Sequence, residues 1–226
     1  MRQSFEEEIM PGILSQSSTG LNLAFAGLLA GCLLLAGCAG FRSGVESVAY
    51  VGEQEADEQG RLRLDDATLA LRLNNQIQQS DFQVILFVVP VMYDPIDKPR
   101  YDEKDGIRLL FEIQPATTDF RFRPEHVVLT VDGRSLSPSS VSLIMVRDPG
   151  QFPLEGLQAI NQSPTGLDYP LRVPQRSWQF ILKFAGPVPT PSSDIRLDLS
   201  RALERPAKSP LPPIRFRSRA WKQGYT

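Results

Sequence analysis

Apolar residues recur at every second position through most of the chain, and this period fixes the class of fold. Leu69, Leu71 and Leu73 alternate with Ala70 and Arg72, and Ile107, Leu109, Phe111 and Ile113 alternate with Arg108, Glu112 and Gln114. Trp178, Phe180, Leu182 and Phe184 alternate with Gln179 and Lys183; Ile195, Leu197 and Leu199 with Arg196 and Asp198; Ile214 and Phe216 with Arg215 and Arg217. A period of two sends one set of side chains to a buried face and the other to water, which is the mark of a strand. Val127-Leu129-Val131 and Val141-Leu143-Met145 add two more strands, joined across Asp132-Gly133, a turn pair. Gln83 to Val89 is nearly all apolar and predicts a central strand covered on both sides.

Prolines punctuate this pattern. Pro90, Pro95, Pro99, Pro115, Pro124, Pro138, Pro149 and Pro153 fall mostly between the apolar runs, and proline cannot donate to a ladder. After Cys38 only short helices are expected, at Asp198–Leu203 or near Leu154–Ile160. The expectation is an all-β chain: an antiparallel immunoglobulin-like β-sandwich of about eight or nine strands, with a small barrel as the alternative. The Cys…Trp…Cys spacing of true immunoglobulin domains is absent. Three irregular stretches are expected: 92–106, 148–174 and 185–193. The second is long enough to be read as the partner-facing loop.

The stretch Leu21 to Gly40, LNLAFAGLLAGCLLLAGCAG, is of another kind. It has no charge, and it holds both cysteines, Cys32 and Cys38. Its apolar run before Cys32 has the length of a secretory h-region, and Ala36-Gly37 are the small residues that signal cleavage requires. Leu35-Ala36-Gly37-Cys38 resembles the lipobox of bacterial lipoproteins. The resemblance implies that the thiol of Cys38 is diacylglycerylated, that the chain is cut before it, and that the new amino terminus is acylated. Leu29-Ala30-Gly31-Cys32 fits the same pattern. Cys38 is preferred because a cut there leaves the polar tether Phe41-Arg42-Ser43-Gly44, whereas a cut at Cys32 would leave Leu33-Leu34-Leu35 on the mature chain. Ala39 is not the Asp that retains such proteins in the inner membrane. The implied location is therefore the cell envelope, on the outer membrane facing the periplasm of a Gram-negative cell. A transmembrane helix is the alternative for this stretch. The leader departs from the pattern in one respect, since Arg2 is outnumbered by Glu6, Glu7 and Glu8. Met10 is an alternative start.

This divides the chain into a signal peptide at 1–37, which forms an N-terminal signal helix, an acidic lipidated tether at 38–60 and a single domain at 61–226. The acidic residues of the second part are Glu46, Glu53, Glu55, Asp57 and Glu58, and within it Val48–Val51 reads as an early strand or as part of a solvated linker. Without residues 1–37 the 24 basic and 26 acidic residues become 23 of each, a neutral chain without the basic excess of a nucleic-acid binder. With Cys38 acylated, no disulfide is possible, and two or three acyl chains anchor stably where one is marginal.

Candidate chemistry is sparse. His126 is the only histidine, and no Gly-x-Ser-x-Gly elbow accompanies it. Zinc normally draws on several His or Cys ligands, so no cofactor or transition metal is expected. Asp94, Asp97, Asp102 and Asp105, with Glu103, are a weak oxygen-ligand cluster, interleaved with Lys98, Arg100 and Lys104. Arg215, Arg217 and Arg219 alternate near the carboxy terminus and would share one side of a strand. They are the candidate contact for anionic headgroups, the cell wall or the acidic segment 46–66, or else they keep an edge strand from aggregating. The expected role is a lipid-anchored, non-catalytic binding or structural module that contacts the membrane through its lipid and an envelope protein or the cell wall. The alternative is a carboxylate-based hydrolase or carbohydrate-active enzyme, with its cleft between loops 92–106 and 148–174.

Overall fold

A computed structural model describes residues 39–85, 89–100, 106–147, 160–206 and 210–225, with backbone alone at 39, 83–85, 89–97, 145–147 and 225. The described residues are all-β and every strand pairing is antiparallel. Among them the one helical element is a 3-10 turn at Pro124–His126. The expected signal helix lies outside the described residues, as do Cys32 and Cys38.

Three sheets are formed. The largest comprises β1 (Ala39–Val51), β2 (Gln54–Glu55), β5 (Ile77–Ile85), β6 (Val89–Pro99), β9 (Val128–Val131), β10 (Arg134–Leu136), β14 (Ile195–Asp198) and β16 (Ile214–Tyr225). Its order is β10-β9-β14-β16-β1-β5-β6, with β2 on β1. The second comprises β3 (Arg61–Arg63), β4 (Ala67–Leu73), β7 (Ile107–Pro115), β11 (Pro138–Arg147) and β13 (Ser177–Phe184), in the order β11-β13-β7-β4-β3. The third is β12 (Tyr169–Leu171), β8 (Phe120–Phe122) and β15 (Leu203–Glu204), in that order.

The period-two strands behave as their sequence dictates. β7 alternates buried and half-buried residues along its whole length. Leu71, Phe111 and Phe180 stand in register across three strands and are all buried. Phe122 of the third sheet closes on them, 4.9 Å from Phe111 and 4.8 Å from Phe180 between ring centroids. In the first sheet, Val131, Ile195, Phe216 and Ala49 form a similar row across four strands. All three sheets feed one hydrophobic cluster.

Several expectations are corrected. Among the described residues there are sixteen strands rather than eight or nine. Six of the additions (β2, β3, β8, β10, β12, β15) have only two or three residues, too few to display a period. Asp132 and Gly133, at φ of 48° and 81°, turn β9 into β10, while β11 belongs to the other main sheet. Positive φ at both central residues is the geometry of a two-residue hairpin. The expected single strand at 83–89 is the meeting of two, because β5 ends at Ile85 and β6 returns from Val89. Much of the expected loop 92–106 is β6, an edge strand, where the prolines cost few ladder bonds. The expected helix at 198–203 is a turn leading into β15.

The largest correction concerns 38–60. Residues 39–51 are not a tether. β1 lies between β16 and β5, with Gly40 to Tyr50 registered against Tyr225 to Arg215. The sheet is staggered around it. β14 meets β16 only at Ile214–Phe216, while β5 meets β1 only at Ala39–Val45. One end therefore joins the common core, and the other is a four-strand end made of β16, β1, β5 and β6.

Candidate functional site: the arginine face of the last strand

Strand alternation places Arg215, Arg217 and Arg219 on one side of β16, and Trp221 and Gln223 continue the series. Across β1 the same side carries Tyr50, Val48, Glu46 and Gly44, since these pair with Arg215, Arg217, Arg219 and Trp221 in turn. The acidic segment is the arginines' partner. Arg217 pairs with Glu55 and lies 5.5 Å over the Tyr50 ring. Arg219 bridges Glu46 at 3.2 Å and Glu55 at 3.7 Å. Gln76 donates to the other Glu46 oxygen at 3.3 Å. Two of the three guanidiniums are thus neutralised within the fold. Arg215 faces Arg196 across β14 and lines a 320 Å³ cavity with Tyr50, Pro212 and Pro213.

Beyond Arg219 the face becomes a groove of about 430 Å³, lined among others by Glu46, Arg72, Gln76, Trp221 and Lys222. Trp221 lies flat over Gly44 because nothing larger fits beneath it. A Cβ at 44 would run into the Ile77 carbonyl oxygen and stand 2.7 Å from the indole. The Arg100 guanidinium covers the ring from outside at 5.2 Å. The groove offers an aromatic wall, the amides of Gln76 and Gln223, cations and the two carboxylates of Glu46 and Glu58. Its signal in sequence is the continuation of the i, i+2 series from the arginines to Trp221.

The remaining candidates do not converge on it. His126 ends the 3-10 turn, 3.5 Å from Glu125, with no nucleophile bonded to it among the described residues. Asp94 takes the register position opposite Asp81, whose carboxylate accepts from Arg42 Nε at 3.0 Å. Asp97 is on β6 as well, and Asp102 and Asp105 lie outside the described residues. Among the described residues no three His, Cys, Asp or Glu side chains group as metal ligands. Residues 148–159 also lie outside, so the expected cleft between the two loops is described only in part.

Among the described residues two carboxylates are shifted, one in a local turn and one in a tie between distant segments. Asp57 is held below its ordinary value chiefly by the Arg61 backbone N–H, in the turn before β3. Asp168 is held low chiefly by the Arg121 side chain, which joins the approach to β12 to β8. Burial raises the neighbouring Tyr169 phenol.

Comparison with known families, curated proteins and solved structures finds no match.

Proposed function

We propose that the chain is a lipid-anchored envelope protein, cut before Cys38 and acylated on it, whose folded part is a non-catalytic binding or structural module. The reading rests on the lipobox, Leu35-Ala36-Gly37-Cys38. The folded part that would follow it includes Gly40 to Val45 of β1, which are paired with both β16 and β5.

The two larger sheets, which contribute opposed rows to one cluster, are read as an immunoglobulin-like β-sandwich with the third sheet closing one side. The arginine face is satisfied largely from within, which fits a surface kept neutral and soluble in the periplasm rather than one that collects anions. Its groove, with Trp221 as the aromatic wall, is the contact for an envelope protein or the cell wall.

The test is metabolic labelling with a radioactive fatty acid in the full chain. Cys38→Ser should abolish label and detergent-phase partitioning, and Cys32→Ser should leave both intact. Label retained in Cys38→Ser would overturn the assignment.

A further inference from the structure

Arg215 is the exception in the arginine row. Arg217 and Arg219 are engaged by Glu55 and Glu46, whereas among the described residues no carboxylate pairs with Arg215. Its register partner on β14 is a second cation, Arg196. Like charges set directly opposite one another across two strands are destabilising. Arg196 is turned back along its own strand and donates to both Asp194 oxygens, from Nη2 at 2.8 Å and from Nε at 3.3 Å. Two guanidiniums and one carboxylate leave a single positive charge, and it belongs to Arg215.

That charge stands in a row of donors. Ser135, Thr130, Arg196, Arg215 and Tyr50 are successive register partners across five strands of the large sheet. Each of these side chains can donate a hydrogen bond. The half-buried Tyr50 has no hydrogen-bond partner for its hydroxyl among the described residues. The row ends at Glu55 on β2, which Arg217 and Arg219 already engage. Tyr50, Arg196 and Arg215 line the 320 Å³ cavity together with Gly52 and the exposed Pro212 and Pro213. A proline has no N–H to offer, so that wall is apolar beside the guanidiniums and the phenol. The volume suits a small ligand, and apolar walls with a few convergent polar groups are the usual make-up of such sites.

We propose that this cavity binds a monoanionic carboxylate ligand. The Arg215 fork holds the carboxylate, the Tyr50 hydroxyl is the second donor, and the ligand's apolar body rests against Pro212 and Pro213. A guanidinium presents paired donors in the geometry of a carboxylate. One uncompensated charge matches one carboxylate better than a phosphate group, which carries nearly two charges at neutral pH. The bound anion would also lie beside two opposed cations and relieve their repulsion. The site is separate from the groove beside Trp221 and does not depend on the lipid anchor. A free organic acid and the carboxy terminus of a peptide present the same group, and the experiment separates them.

The experiment titrates the isotope-labelled full chain in detergent with N-acetylphenylalanine and follows amide chemical shifts. The signals of Gly52, Arg196 and Arg215 should move saturably, and added sodium chloride should weaken the binding. Arg215→Gln should weaken it roughly tenfold, as the loss of one charge-assisted contact. Tyr50→Phe should weaken it several-fold, and Arg134→Gln on exposed β10 should leave it unchanged. Shifts that do not saturate overturn the proposal, as does undiminished binding by Arg215→Gln with an otherwise native spectrum. Equal binding of the uncharged N-acetylphenylalaninamide shows that the apolar body alone is recognised and also overturns it. Tighter binding of inorganic phosphate overturns the ligand class. A tripeptide ending in phenylalanine that binds more tightly than the single residue supports a peptide terminus as the source, and equal binding supports a free acid.

Discussion

The two ends of the large sheet are built on different physics. At the core end, Ile195, Leu197, Ile214, Phe216 and Ala49 are buried against one shared cluster. Burial of that kind stabilises by roughly 25 cal/mol per Å² of apolar surface. At the four-strand end the ladders run on, but the cross-strand contacts are local: Arg42 with Asp81, the Ser43 and Ser80 hydroxyls at 2.6 Å, Phe41 on Phe82. Such pairs contribute about 0.2–1 kcal/mol each. Continuous hydrogen bonding can therefore carry a strand well past the core that nucleates it, and the extension is left with a surface of its own to use.

The sharpest way to break this comparison is to damage the core end. Phe180 is fully buried between Phe111, Phe122 and Tyr169. Phe180→Ala should cost about 3–5 kcal/mol and lower the midpoint of global denaturant unfolding, followed by circular dichroism. A loss below about 1 kcal/mol would mean that the aromatic cluster is not the centre of the fold.

At the other end, Gly44→Ala should cost about 1–3 kcal/mol by overpacking. The new Cβ must displace both Trp221 and the Ile77 carbonyl. The effect should appear as red-shifted tryptophan emission and faster exchange of β1 and β5 amides, with β7 and β13 unchanged. An equal change in both regions would merge the two ends into one cooperative unit.

The smallest effect concerns pH. Asp168 has a depressed folded value, so its contribution is fully present above the unfolded carboxyl value near ~3.9 and is lost as pH falls through the folded one. As pH falls below about 4 the tie from β8 to the approach of β12 should loosen, and Asp168→Asn should remove that part of the acid response. Amide chemical shifts of Arg121 and Tyr169 would report it. An unchanged titration in the variant would assign the response elsewhere.

Much of the core end was legible in the sequence. β4, β7, β9, β13 and β14 each bury one face and wet the other, so their periods are visible. Of β1 only Val48–Val51 was legible, as one of two alternatives, and the reason is physical. At its far end neither face belongs to the core, so AGFRSG carries glycines, a cation and a serine where a buried strand would carry Val and Ile. The acidic residues that made 45–60 resemble a solvated linker are there because Glu46 and Glu55 neutralise arginines on β16. The arginine face was visible as alternation. Its partners were not, because Arg219 and Glu46 are 173 residues apart in the chain. The groove beside Trp221 depends on Gly44, whose role is set by what crosses above it rather than by its sequence neighbours.

Native-state hydrogen exchange on the processed protein in detergent tests the division between the two ends most directly. The account predicts that amides of β7 and β13 exchange only by global unfolding, while those of β5 and the Ala39–Val45 part of β1 open locally at much lower free energy. Equal protection in both regions would contradict it.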